Sequence, residues 1–459
     1  MKKLIVLNTL LISFFVFADI HLPSVFSDNM VLLRNSEVVI WGNATPNEEI
    51  TLKADFLGKE YKTKADSDAK FKFVVPTGKE GGPYSIQLNG YNEVVLKNIM
   101  LGEVWLLSGQ SNMEMTAGWG IKDGEKEVEE ANYPNIRFFT VPKLSAPFPQ
   151  DNLFGKWEQC SPETMRNFSA IGYFFGRKLH KELKGVPIGL ISSSWGGSAA
   201  ELWTPSRVFD VSPDLKANFK KLSESEYYPS EVSAAYNAMI HPLHNYAIRG
   251  VLWYQGETNT GNPETYEKLV SLMIGSWREN WGSDFPFYIA QISGYNSWGD
   301  STVRIQDAQR RIVKNTPNTR MVVTADLDVA DDIHPKNKKP VGERFADLSL
   351  KNIYKQKEAL VESPEINEIL YQGNKVIIRL NNADGLYSKN RNSQLFEIAG
   401  NDGNFFPAKA TIKSNEIILQ SKEVRNPTKV RYAWSNTARL DIFNMNHLPL
   451  SSFTTELIN

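Results

Sequence analysis

The chain has 459 residues, 41% of them hydrophobic, and a formal net charge of −1. That length supports two or three domains with a sizeable core, and the near-neutral balance argues against nucleic acid or an anionic membrane as partner. A small or neutral partner is expected instead, and the sequence carries no mark of oligomeric state.

Residues 1–18 open with Met-Lys-Lys, continue as an apolar segment from Leu4 to Phe17, and end in Val16-Phe17-Ala18 before Asp19. This is the pattern of a cleaved secretory signal peptide, too short to span a bilayer, and no later apolar run is long enough to do so. A secreted protein, periplasmic or extracellular, is expected. Cys160 is the only cysteine, so no intramolecular disulfide can form and the core must hold the fold.

Residues 19–100 alternate in short runs such as Val38-Val39-Ile40-Trp41 and Phe71-Lys72-Phe73-Val74-Val75, broken by Asn43 to Asn47 and by Gly81-Gly82-Pro83. The pattern predicts a β-sandwich-like domain. Residues 101–355 change rhythm. Helical spacing from Phe168 to Leu183, from Tyr266 to Trp277 and from Val303 to Lys314 alternates with apolar strands at Val186 to Ile191, Ile248 to Tyr254, Phe287 to Ile292 and Met321 to Thr324. Such alternation predicts an α/β domain whose mostly parallel sheet is covered on both faces. Residues 356–459 return to short alternating runs and form a second β-rich domain.

In an α/β domain the chemistry is expected where strands end. The run Gly102 to Leu107 stops at Ser108-Gly109-Gln110-Ser111-Asn112, which makes Ser111 a candidate nucleophile. A serine hydroxyl needs a base and oxyanion donors to react at neutral pH. After Ile191 comes Ser192-Ser193-Ser194-Trp195-Gly196-Gly197, and paired glycines let backbone N–H groups approach a ligand closely. After Tyr254 comes Gln255-Gly256-Glu257-Thr258-Asn259, where Gln255 and Asn259 offer amide donors and Glu257 an acid. Of the six histidines, His21 and His447 fall in the β domains and His180 within a helix. His241, His244 and His334 remain. His334 is the best base, because Asp331 and Asp332 stand three and two residues before it, where a carboxylate can orient the imidazole.

These four strand ends together resemble the SGNH, or GDSL-like, hydrolase superfamily. Within it, Gly109-Gln110-Ser111-Asn112-Met113, Trp195-Gly196-Gly197, Trp253-Tyr254-Gln255-Gly256-Glu257 and Asp332-Ile333-His334-Pro335 resemble the sialate O-acetylesterase family. The resemblance implies a three-layer SGNH-type catalytic domain and a secreted carbohydrate esterase that needs no metal or organic cofactor. It implies Ser111 as nucleophile, His334 as base, and an oxyanion hole from the N–H of Ser111, that of Gly196 or Gly197, and an amide of Gln255 or Asn259. Superfamily spacing favours Asp331 as the acid, with Asp332 and Glu257 as alternatives. Trp195 and Trp203 are candidate faces for a sugar ring. The expected substrate is an O-acetylated sialic acid. An acetylated plant polysaccharide such as xylan is the alternative within enzymes, and a non-catalytic glycan-binding protein the alternative outside them.

Overall fold

The computed structural model describes residues 19–297, 299–327 and 331–456, so the signal peptide expected at residues 1–18 lies outside the described residues. One strand, Glu93–Gly109, organises the first three quarters of it. Its first half alternates between exposed and buried residues, while from Ile99 onward every residue is buried. That change in pattern is a change in surroundings. The first half pairs antiparallel with Gly81–Asn89 at the edge of the N-terminal β region. The second half lies between Ile188–Ser194 and Gly250–Tyr254, parallel to both, where residues are covered on both sides.

The resulting α/β sheet runs in the order Thr319–Val322, Phe287–Ala290, Gly250–Tyr254, Glu93–Gly109, Ile188–Ser194, Tyr133–Thr140, Trp157–Cys160. All neighbours are parallel except the last pair, so this is a mostly parallel α/β sheet with one antiparallel edge. Helix Ala170–Glu182 starts where Ser169 Oγ accepts the Gly172 N–H at 3.2 Å, a side-chain N-cap. It packs against the sheet and against helix Lys338–Asn352, whose Gly342 permits close approach. A Cβ there would lie 2.6 Å from the Ile171 carbonyl oxygen. Helix Tyr266–Trp281 packs on Ser301–Asn315. Among the described residues, no helix is long and apolar enough to cross a membrane.

The expected boundary at residue 100 falls inside the long strand, and the N-terminal β region shares one hydrophobic core with the α/β sheet. A buried carboxylate reinforces that union. Glu103 accepts Arg34 Nε from the N-terminal region and Arg249 Nε from the loop before Gly250–Tyr254, both at 2.7 Å, and the Tyr354 hydroxyl at 2.9 Å. The C-terminal β-rich module has its own core, built on residues such as Ile378, Ile398, Leu419 and Tyr432, which Val323 of the α/β domain joins. It consists mainly of two four-stranded sheets.

Candidate active site

The sheet delivers Ser111 through a backbone shape that only glycine tolerates easily. Gly109 has φ +130°, and a Cβ at that position would lie 2.1 Å from the Tyr254 carbonyl oxygen. The chain therefore leaves the strand hard against its neighbour and enters the short helical turn Ser111–Glu114 at the sheet's C-terminal edge. Ser111 is 8% exposed and opens onto a cleft of about 820 Å³.

His334 reaches the same cleft from the loop before helix Lys338–Asn352, and its Nε2 lies 2.9 Å from Ser111 Oγ. An imidazole nitrogen at that distance can take the hydroxyl proton as the oxygen attacks. The ring is half-buried, with the Trp119 indole set edge-on at 6.3 Å. Burial first, and the Lys338 ammonium second, hold the imidazole below its ordinary value of 6.5, while Asp332 and Glu114 act in the opposite direction. A depressed value keeps the nitrogen free to accept a proton at neutral pH.

Asp331 and Asp332 are used differently from the expectation that favoured Asp331. Asp332 Oδ1 accepts the backbone N–H of His334 at 2.8 Å, closing an Asx-type turn. Asp331 is exposed, and neither carboxylate hydrogen-bonds His334 Nδ1 among the described residues. The turn itself is the physical reason: once Asp332 is committed to the backbone two residues on, its neighbour points to solvent. Asn112 holds the loop from the other side. Its Nδ2 donates to the Ile333 carbonyl at 3.0 Å and to Glu257 Oε1 at 2.5 Å, and its Oδ1 accepts Lys338 Nζ at 2.5 Å. Glu257 is thus linked to the histidine loop through Asn112 rather than bonded to the ring, and burial pushes its carboxyl up.

The donors on the opposite side of Ser111 require a correction. Gln255 and Asn259 are fully buried and absent from the cleft lining. Gln255 Nε2 donates to Asn259 Oδ1 at 2.7 Å and to the Ser198 carbonyl at 3.2 Å, and Asn259 Nδ2 donates to Glu201 and Asn262, both at 2.9 Å. Their amides are consumed by a closed polar network, as burial of unpaired amides would be costly. The residue that network supports is Gln110. Its Oε1 accepts Gln255 Nε2 at 3.2 Å and the backbone N–H groups of Gly256 and Thr258 at 3.3 and 3.4 Å. Its Nε2 has no acceptor among the described residues, and Gln110 lines the cleft. Gln110 was visible in the sequence beside Ser111, yet no local pattern separates its role from that of Gln255.

Gly196 and Gly197 both line the cleft. The Gly196 N–H donates to Glu114 Oε2 at 2.7 Å, and the other oxygen of Glu114 pairs with Lys143 Nζ at 2.6 Å. Gly197 has φ +78° and its carbonyl accepts Thr258 Oγ1 at 2.6 Å. Of the two tryptophans, Trp195 lines the cleft and Trp203 does not. Trp203 is 0% exposed, with its Nε1 bonded to Ser198 Oγ at 2.8 Å, so it is core. The aromatic residues that do face the cleft beside Trp195 are Trp119, Tyr227 and Tyr228, none of which the sequence reading singled out.

A hydroxyl on an imidazole at the C-terminal edge of a parallel sheet, with amide donors beside it, is the equipment of an ester hydrolase. Comparison with known proteins agrees. The family model described as carbohydrate esterase, sialic acid-specific acetylesterase, matches residues 101–351. Sialate O-acetylesterases of Homo sapiens and Pongo abelii are each 31% identical over 463 aligned residues, covering 90% of this chain and 87% of theirs. The crystal structure of a carbohydrate acetylesterase from Xanthomonas citri superposes with a TM-score of 0.87 at 32% identity, over 96% of this chain and 100% of that one. The chain belongs to the sialic acid-specific acetylesterase family of carbohydrate esterases, and it is an esterase.

Proposed function

We propose that this esterase removes O-acetyl groups from sugars, foremost from O-acetylated sialic acids, through an acetyl-enzyme on Ser111. The observation that carries the reading is the 2.9 Å contact between Ser111 Oγ and His334 Nε2 inside an open cleft. Ser111 Oγ attacks the acetyl carbonyl carbon while His334 Nε2 takes its proton. The imidazolium then gives that proton to the departing sugar oxygen as the ester C–O bond breaks. Water, deprotonated by the same nitrogen, releases acetate.

The oxyanion falls to the N–H groups of Ser111 and Gly197 and to Gln110 Nε2, each worth about 3 kcal/mol in the transition state. Gly196 joins them when Glu114 turns away from its N–H. Asp332 fixes the histidine loop and supplies negative charge near the ring. The half-buried face of Trp195 and the exposed Trp119 offer apolar surface to a sugar. Export with cleavage after Ala18 belongs to the same reading, and N-terminal sequencing of the exported protein should begin at Asp19.

Deacetylation of a panel of acetylated glycans, followed by mass spectrometry, tests the substrate. Loss of 42 Da, about one acetyl group, from sialyl glycans but not from acetylated xylan is the expected result. One observation keeps the neutral polysaccharide reading alive: among the described residues no arginine lines the cleft, and its cations Lys143 and Lys221 pair with Glu114 and Glu264.

A further inference from the structure

A second pocket of about 780 Å³ lies against the catalytic cleft, between the catalytic domain and the C-terminal module. The two share a wall. Trp119 faces the cleft and Gly120 the second pocket, and across from them Ile333 and His334 face the cleft while Asp332 faces the second pocket. The Trp119 indole on this wall is 47% exposed.

The charges in the two pockets differ in kind. In the second pocket stand four cations, Lys122 and Lys336 from the catalytic domain and Lys389 and Arg439 from the C-terminal module. None of the four makes an ion pair among the described residues, whereas both lysines of the cleft do. Three carboxylates also line the second pocket, and each is engaged. Asp326 takes a two-pronged contact from Arg344 at 2.8 and 2.7 Å. Asp332 holds the His334 N–H at 2.8 Å, and Asp441 accepts Ser393 Oγ at 2.9 Å and the Tyr432 hydroxyl at 3.1 Å. Lys389 is anchored by its Nζ over the Phe443 ring at 3.8 Å and by its backbone N–H on the Asp441 carbonyl at 2.8 Å. The C-terminal module thus carries a held ammonium into the second pocket.

We propose that this second pocket binds the carboxylate of an acidic sugar in the same saccharide whose acetyl ester sits at Ser111, with the Trp119 face supporting the ring between them. The inference rests on the esterase reading of Ser111. Cations without a counter-ion among the described residues favour an anionic ligand, and a carboxylate matches both Arg439 and lysine donors. The wall shared with His334 makes the pocket part of the substrate path and gives the C-terminal module a role in specificity.

The test compares three acetylated substrates: a sialyl oligosaccharide, a glucuronic acid-bearing xylo-oligosaccharide and, as the neutral reference, an uncharged chromogenic acetyl ester. In Lys389→Gln/Arg439→Gln, kcat/KM for at least one acidic substrate should fall about tenfold relative to the neutral one, through KM rather than kcat. Which acidic substrate responds identifies the sugar. For the wild type, raising salt from about 50 to about 300 mM should raise KM for that acidic substrate, and the double variant should flatten the dependence. Lys389→Arg/Arg439→Lys, which keeps both charges, should recover most of the discrimination. If the double variant does not fold, Lys122→Gln on the opposite wall gives the same reading in smaller measure. An unchanged acidic-to-neutral ratio in a folded, active variant overturns the proposal, as does an equal loss on all three substrates. A wild type inert on every acetyl ester, or an active Ser111→Ala, would instead overturn the esterase reading beneath it.

Discussion

The two loops that flank Ser111 are built on opposite plans. The loop from Gln255 to Asn262 is a closed polar network, in which Asn259 and Asn262 hold the buried Glu201 carboxylate and Gln255 braces Gln110. The loop from Asp332 to Asn337 is held, among the described residues, chiefly by Asp332 on the His334 N–H, Asn112 on the Ile333 carbonyl and the Lys122 N–H on the Lys336 carbonyl, and it leaves the imidazole half-open to solvent. One side of the serine is a rigid support for amide donors. The other is a lighter arm carrying the group that must exchange protons with water.

The largest effect expected is from removing the dyad itself. Ser111→Ala and His334→Ala should each lower kcat on a chromogenic acetyl ester by about 10³-fold or more while leaving the melting temperature near the wild-type value. Retained activity in either folded variant would refute the mechanism. Next comes a division within the rigid side. Gln110→Ala should lower kcat about 10²-fold, the loss of one oxyanion donor. Gln255→Leu and Asn259→Leu should chiefly destabilise, each by about 1–3 kcal/mol, because they strand buried partners. Denaturant titration beside kinetics separates the two, and a Gln255 variant with full stability and lost kcat would return Gln255 to the oxyanion hole.

Smaller effects are expected on the lighter arm. Asp332→Asn, which keeps the acceptor for the His334 N–H but removes the charge near the ring, should lower kcat about tenfold, and Asp331→Asn, at an exposed position, less than about twofold. A crippled Asp331→Asn with a healthy Asp332→Asn would reinstate the superfamily spacing. The subtlest test is the acidic limb of the rate profile. The base works as neutral imidazole, so the rate should fall only as pH drops through the depressed value of His334, with an inflection below 6.5. An inflection above 6.5 would mean that the nearby carboxylates outweigh burial.

Much of the fold was legible because the central strands Ile188–Ser194 and Gly250–Tyr254 are buried along their whole length and begin as apolar runs, while the outer β regions alternate. Ser111 was legible because it closely follows such a run, and His334 because it is the histidine of the α/β region with two aspartates just before it. What escaped was decided by contacts between segments far apart in sequence. Trp195 and Trp203 look alike in the chain, yet only a partner such as Ser198 Oγ tells which one is core. The Gln255 to Asn259 segment reads as an array of donors, and only the fold reveals that its amides face each other. The choice between Asp331 and Asp332 turned on a backbone N–H two residues away, which residue type alone does not announce. The joint of the first two regions was hidden as well, because a change in pairing partner halfway along Glu93–Gly109 leaves the strand unbroken.

That shared strand also sets an order of events during synthesis. Its second half finds its flanking partners only at Ile188–Ser194 and Gly250–Tyr254, and Glu103 waits for Arg249 and Tyr354. The second half of that strand therefore lacks both flanking partners until residue 188 has emerged and one of them until residue 250, and closing such distant pairs is slow.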